Sequence, residues 1–245
     1  MMQDFTEVLS TLARSPLLWM TLTLLVYLAA VWLYRRSGLN PFLIPVLTAV
    51  SVIIAVLKLS ATTYPVYFEG TKFIHFFVGP VIVALAVPLF SQITRLRQIW
   101  LPVTVALIAG SGTAAISAVL IAWALGGSVT TLISLAPKSA TMPIAMALTE
   151  RFNGLVPLAA VAVAVTGIGG TIIARPLLNL LRIQDPAVRG FALGLTAHAI
   201  GTARALQHNP TAGAFAALAM ALNGVATALL VPLIFWFFHM TGLLF

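Results

Sequence analysis

Charged residues punctuate the chain at intervals that leave long apolar runs, and those runs have membrane-crossing length. Twenty uncharged residues rich in Leu, Val, Ala and Trp lie between Arg14 and Arg35. At about 1.5 Å rise per residue they suffice for a hydrocarbon core of about 30 Å, which predicts a first span over residues 17–34. A second span, 41–58, begins at Pro41 and leaves the core at Lys58. The stretch ATTYPVYFEGTK that follows is aromatic and broken by Pro65 and Gly70, and reads as an interfacial loop or short surface helix. Phe73 to Thr94 is again uncharged and of spanning length, with Gly79 and Pro80 near the middle and Pro88 near the end, the pattern of a kinked or broken span.

The next uncharged run extends from Gln98 to Pro137. That is too long for one crossing and suits one span plus a half-helix, divided at Gly126, Gly127 and Ser128. Gly110, Ser111 and Gly112 inside its first part permit close helix contact or local unwinding. It ends in SLAPKSATMPIAMALTE, residues 134–150, where a lysine stands between two prolines in otherwise lipid-soluble sequence. Pro137 lacks a backbone donor and fixes φ, so a helix arriving through Val129 to Leu135 ends near Ala136, and a second starts near Thr141 to Pro143. Together with Pro80, Pro137 and Pro143 are the predicted helix breaks. Such a break leaves unpaired carbonyls on one half-helix and unpaired N–H groups on the other, which in a membrane must line a protein cavity or meet a ligand. A span from Leu155 to Ala174 follows, then the embedded but polar segment RGFALGLTAHAIGTARALQ, 189–207, and a last span over 214–238 closing in Phe235, Trp236, Phe237 and Phe238.

The fold class is therefore an all-α polytopic membrane protein of about 7–8 transmembrane helices with broken or re-entrant helices, forming a single integral membrane domain over 1–245. Arg35 and Arg36 mark the cytoplasmic face, and so do Arg95 and Arg97. The N-terminus has acids before its only arginine and lacks the basic region of a secretory signal, so the first apolar segment is expected to be retained. If residues 128–149 cross the membrane, Arg175, Arg182 and Arg189 lie outside; if they dip in and return, these arginines lie inside, as the charge rule prefers. Pro80, Gly110 and Gly112 match Pro137, Gly167 and Gly169 at a spacing of 57, and Pro88 and Pro102 match Pro143 and Pro157 at 55. These matches suggest two repeats, 77–125 and 134–182, and duplicated interrupted segments are how secondary transporters build a substrate site.

Composition agrees: of 245 residues 61% are hydrophobic and 7% charged, with a mean hydropathy of +1.08. A net charge of +8 would suggest nucleic acid as the partner of a soluble protein, but here the basic residues sit in short connections, and no nucleic-acid role is expected. The absence of cysteine excludes disulfides, thiol nucleophiles and cysteine metal sites. Walker, HExxH and GxSxG patterns are missing, so neither an enzyme nor a cofactor is expected.

No predicted span holds an acidic residue, which argues against a cation pump and for an anionic ligand. Lys138 supplies a cation at the break, with the Ser139 and Thr141 hydroxyls beside it. Arg204 is the only charge between Arg189 and the C-terminus; an arginine at membrane depth costs about 2.5–3.5 kcal/mol and needs a partner, most simply a carboxylate or a helix C-terminus. His198 reads either as a hydrogen-bonded structural histidine or as a proton-coupling group, and Thr202 shares its helical face. Asn223 reads as a polar interhelical contact, and His75, one turn before Gly79, stays open.

FFVGPVIVALAVPLF, APKSATMPIAMALTE and RGFALGLTAHAIGTARA, followed by GAFAALAMALNG, resemble the LrgB/CidB family of antiholin-like, YohK-type membrane proteins over roughly residues 20–240. The resemblance implies two functions. Bacterial members are named for modulating murein hydrolase activity and autolysis beside a holin-like partner of the LrgA/CidA type. The plastid relative carries glycolate and glycerate, and bacterial members are linked to pyruvate and similar acids. Gly79, Pro80, Pro137, Lys138, Ser139, Thr141, Pro143, His198, Gly201, Thr202 and Arg204 fall on the family's motif positions. The family commonly has Glu after the PIAM helix start, where this chain has Ala147 and Leu148. The expectation is thus an oligomeric carrier of small monocarboxylates (glycolate, glycerate, lactate or pyruvate type) in a bacterial cytoplasmic membrane. Its expected substrate contacts are Lys138, Ser139, Thr141, Arg204, Thr202, Gly79 and Pro80, with His198 as the proton-coupling group.

Overall fold

A computed structural model describes residues 15–77, 80, 83–84, 90 and 93–241, and every element among them is helical. Contacts divide the chain into two compact units, 1–84 and 85–245. Four helices are long and apolar enough to cross a membrane among the described residues. Large apolar side chains such as Leu28, Trp32, Ile121, Val165, Leu229 and Trp236 face outward on them, an arrangement that suits a lipid surround and would drive aggregation in water.

In the first unit, α1 (Pro16–Arg36) is followed by a single 3₁₀ turn at Pro41–Leu43 and by α2 (Pro45–Leu59) and α3 (Tyr64–Phe76). The second span thus begins one turn later than Pro41. Of the two readings of the ATTYPVYFEGTK stretch the short helix holds: residues 64–72 lie in α3, which packs on α1. Tyr67 of α3 meets Trp19 of α1 edge-on with ring centroids 5.8 Å apart, and its hydroxyl lies 3.0 Å from Thr23 Oγ1. Gly70 lets the helices touch, since a Cβ there would sit 2.8 Å from Trp19 Cβ. Gly79 and Pro88 lie outside the described residues, as does most of the opening of the first repeat; Pro80 is exposed.

The second unit contains α4 (Ile93–Gln98), α5 (Trp100–Ala124), α6 (Val129–Leu135), α7 (Met142–Arg151), α8 (Val156–Leu180), α9 (Pro186–His208) and α10 (Pro210–Thr241). α5 runs unbroken through Gly110 and Gly112, with Gly110 against Leu195. α5 and α10 run side by side in one direction. Val103 clusters with Phe215 near their starts, Ser111 bonds Asn223 at mid-length, and Val119 clusters with Val231 beyond. α8 continues past Ala174 through Arg175 and Pro176 to Leu180.

Asp185 closes the turn before α9. Its carboxylate accepts from the Ala187 and Val188 N–H groups at 2.7 and 3.2 Å, and Arg95 donates to it at 2.7 Å. Partial desolvation pushes its pKa up, but the two backbone bonds and the Arg95 charge outweigh this and hold the carboxyl below its usual value. A depressed folded pKa means that the stabilisation is complete above the unfolded value of about 3.9 and is lost as pH falls through the folded value. The cap contributes about 1 kcal/mol and the exposed ion pair less. Asp185→Ala is therefore expected to lower the melting temperature in detergent by about 2–4 °C at pH 7, with the difference from wild type shrinking below about pH 4. Equal melting points at pH 7 would show that the cap contributes nothing.

Candidate functional site

The break predicted at Pro137 is present, and the chain folds back there. Ser128 caps α6, Leu135 ends it, and Pro137 is fully buried. Two tight turns follow, with Lys138 N–H donating to Leu135 O at 3.2 Å and Ala140 N–H to Pro137 O at 2.9 Å. Thr141 then starts α7 in an extended conformation without a side-chain cap, and Pro143 stands in its first turn. Had α7 continued the direction of α6, its ten residues alone would have added about 15 Å. Instead Leu155 N–H donates to Ser134 Oγ at 2.7 Å, and Gly154 packs so closely that a Cβ would lie 2.8 Å from Ile133 Cγ2. Residues 129–151 are a hairpin with Lys138, Ser139 and Thr141 at its tip, the folded-back geometry that the re-entrant alternative requires.

A second hairpin lies within α9. His198 has φ 41° and ψ −129°, outside the helical region, a conformation that costs a non-glycine residue about 1–3 kcal/mol. Gly201 packs against Leu193, where a Cβ would sit 2.6 Å from its carbonyl oxygen. In a straight helix those residues would be separated by about 12 Å along the axis. The legs 186–197 and 199–208 therefore lie against each other and share α10: Gly194 packs on the Ala216 carbonyl, and Thr202 Oγ1 donates to the same oxygen at 3.3 Å. Thr202 also donates to His198 O at 2.8 Å. His198 is buried, with Nε2 2.9 Å from Val163 O on α8. A carbonyl only accepts, so Nε2 carries the proton. Gly167, one turn on from Val163, makes room for the ring, since a Cβ there would meet His198 Cε1 at 2.6 Å.

Asn223, in the middle of α10, joins the two tips. It is 1% exposed, and a buried amide is tolerated only with its hydrogen-bonding capacity met. Its Nδ2 donates to Ser139 O at 2.8 Å in the first tip and to Leu195 O at 3.1 Å just before the second. Its Oδ1 accepts from Ser111 Oγ at 2.6 Å and Thr227 Oγ1 at 3.4 Å. The hairpins reach it from opposite ends of α10. The first opens beside Phe235, whose ring is 5.3 Å from that of Phe152, about 18 Å beyond Asn223. The second opens at Asn209 and runs past Ala212 and Ala216.

Of the residues singled out in the sequence, Lys138, Ser139 and Thr141 share the first tip, and His198 with Thr202 forms the second. Lys138 is half-buried, Ser139 buried. Arg204 is 8% exposed and sits down the returning leg, Nη1 3.5 Å from Thr171 O on α8, two turns beyond the Val163 carbonyl that holds His198. His208 lies within electrostatic reach of both Arg204 and Arg175 at this end of α8. The Thr171 hydroxyl is buried there without a hydrogen bond. Asn223, Ser111 and Gly167 complete the arrangement; the sequence marked Asn223 as a polar contact between helices, Ser111 as part of a stretch for close helix contact and Gly167 only as a repeat position.

The sequence model of the LrgB-like family matches residues 23–237. The chain is 36% identical over 218 residues to Uncharacterized protein YxaC of Bacillus subtilis, covering 89% of this chain and 94% of the relative. It is 31% identical over 202 residues to an uncharacterized protein of Haemophilus influenzae, covering 82% and 86% respectively. A Bacillus cereus relative named Antiholin-like protein LrgB is 27% identical over 219 residues, 89% of this chain and 95% of the relative. No solved structure matches.

Proposed function

The chain belongs to the LrgB-like family, and on that premise we propose that it is a secondary transporter of small monocarboxylates of the glycolate, glycerate, lactate or pyruvate type. The observation that carries this reading is the first hairpin tip, where Lys138 stands beside the uncapped start of α7 at the mid-length of a membrane-crossing helix. A helix start presents unpaired N–H groups and the positive end of its dipole, and with a lysine beside it favours an anion. Ser139 and Thr141 add hydroxyls suited to the 2-hydroxy or 2-oxo group of such acids. Arg204 beside Thr171, and Arg175 on the same helix as Thr171, give the anion a second positive station toward the end of α8. His198 serves proton coupling in this reading. The protein acts in a bacterial cytoplasmic membrane as an oligomer beside a holin-like subunit of the LrgA/CidA type.

The name of the Bacillus cereus relatives favours a second reading, an antiholin-like regulator of murein hydrolase activity that carries nothing itself. Uptake of labelled glycolate, lactate and pyruvate into proteoliposomes, with and without the holin-like subunit, separates the two. Transport predicts saturable uptake that unlabelled acids compete and the neutral amide glycolamide does not. Correctly inserted protein that takes up none of the acids in either preparation would favour the regulator.

A further inference from the structure

We propose that residues 129–180 and 186–241 are two inverted copies of one hairpin-plus-helix unit, and that Asn223 is a positioning residue by which the second copy latches the hairpin tip of the first. The two copies make contacts that match, to within one residue, at the offset that separates Lys138 at the first tip from His198 at the second. In each copy the incoming leg packs on the start of its own long helix. Ser134 binds Leu155, the N-cap of α8, and its counterpart Gly194 packs on Ala216 of α10, one residue past the counterpart of Leu155. Between copies the contacts are exchanged. Asn223 of α10 holds Ser139 in the first tip, and Val163 of α8, the counterpart of Asn223, holds His198, the neighbour of Ser139's counterpart, in the second. Leu135 and Leu195, Ala145 and Ala205, and the buried pair Ala159 and Ala219 are identical at the same offset.

Exchange of this kind is what a two-fold axis in the membrane plane produces. α8 and α10 run in opposite directions: the first hairpin returns to the Phe235 end of α10 where α8 begins, and α8 ends at the turn that Asp185 ties to Arg95 near the start of α5. Across the copies the first tip is held through Ser139 O by Asn223 and the second through His198 by the Val163 carbonyl, with Asn223 also holding Leu195 O before the second tip. The two latches differ: Asn223 uses an amide with four hydrogen bonds, whereas the Val163 carbonyl takes one bond from an imidazole. This places the two tips at one midplane site reached from opposite faces, and the inference stands whether or not the ligand is a carboxylate.

The chain has no cysteine, so single cysteines report sidedness directly in cells and in inverted vesicles treated with a membrane-impermeant maleimide. Phe152→Cys and Asn209→Cys, at the open ends of the hairpins, are expected to label from opposite faces; a straight α9 would put both on the same face and overturn the proposal. Ser139→Cys and Ala199→Cys are expected to label each from one face only, the faces being opposite. Adding Asn223→Leu is expected to raise the labelling rate of Ser139→Cys at least tenfold and that of Ala199→Cys by a smaller factor, because the second tip loses the Leu195 bond but keeps His198 on the Val163 carbonyl and Thr202 on Ala216. An equal rise at both positions would reduce Asn223 to a general packing residue. Asn223→Ser, which keeps a hydrogen-bonding group in a smaller side chain, gives the same comparison should Asn223→Leu fail to insert: it is expected to raise the Ser139→Cys rate more than that of Ala199→Cys, and equal changes at both tips would again overturn the latch.

Discussion

Replacing Gly194 with leucine is expected to abolish stable folding of the second unit, seen as loss of the monodisperse peak in size-exclusion chromatography of detergent-solubilised protein. The reason is backbone against backbone. Gly190 and Gly194, four residues apart on one face of the incoming leg, rest on the carbonyls of Ala212 and Ala216, also four apart on α10. Between helices in lipid there is little hydrophobic drive, so association depends on this close approach. A side chain at Gly194 meets a carbonyl that cannot rotate away, and relief requires the leg to move off α10, pulling Leu195 O from Asn223. Overpacking a core costs about 1–3 kcal/mol when side chains can yield; here none can, and the upper end is the floor. Gly112→Ala is the control: nothing lies within 4 Å of a Cβ there, and in a helix alanine gains about 1 kcal/mol over glycine. A Gly194→Leu protein that behaves like wild type would mean that the leg and α10 do not meet as described.

The two hairpins were unequally legible in the sequence, for a physical reason. The first announces itself through Pro137 and Lys138, which break a helix and bring a charge to the break, and α7 begins at Met142, inside the window set by Thr141 and Pro143. The second has no proline or charge at its turn: TAHAIG reads as helix, and the reversal rests on one residue, His198, held in a strained conformation by bonds to α8 and by glycines at 194 and 201 that admit neighbouring backbone. A local pattern cannot show a reversal that tertiary contacts impose. Asn223 was legible as a polar contact between helices but not as the bond between two tips, because both partners on its amide nitrogen are main-chain carbonyls. Charge punctuation placed the end of α8 at Ala174, just before Arg175, while the helix itself persists to Leu180. The repeat that pairs Pro80 with Pro137 begins largely outside the described residues, whereas the contacts that pair Lys138 with His198 become visible only once the hairpins are folded.

Lys138→Ala is expected to reduce carboxylate uptake about 10- to 100-fold while leaving assembly intact, and the two halves of that expectation have separate grounds. Among the described residues Lys138 makes no side-chain hydrogen bond or ion pair; its one bond is from the backbone N–H to Leu135 O, which alanine keeps. Nothing is orphaned when the ammonium is removed, so melting temperature and elution volume should match wild type. For a bound carboxylate the loss is that of a charge-assisted hydrogen bond, about 1.5–3 kcal/mol, which is 10-fold or more in affinity. Screening by solvent is weaker at a half-buried tip than at a surface, which favours the upper part of that range. Lys138→Arg should restore part of the uptake with an altered order of preference among glycolate, lactate and pyruvate, since a planar fork replaces a point charge. Arg204→Ala provides the contrast, because its buried guanidinium donates to Thr171: uptake and stability should fall together. Uptake that survives Lys138→Ala unchanged would move the carboxylate away from the first tip and leave the positive end of α8 as the place to look.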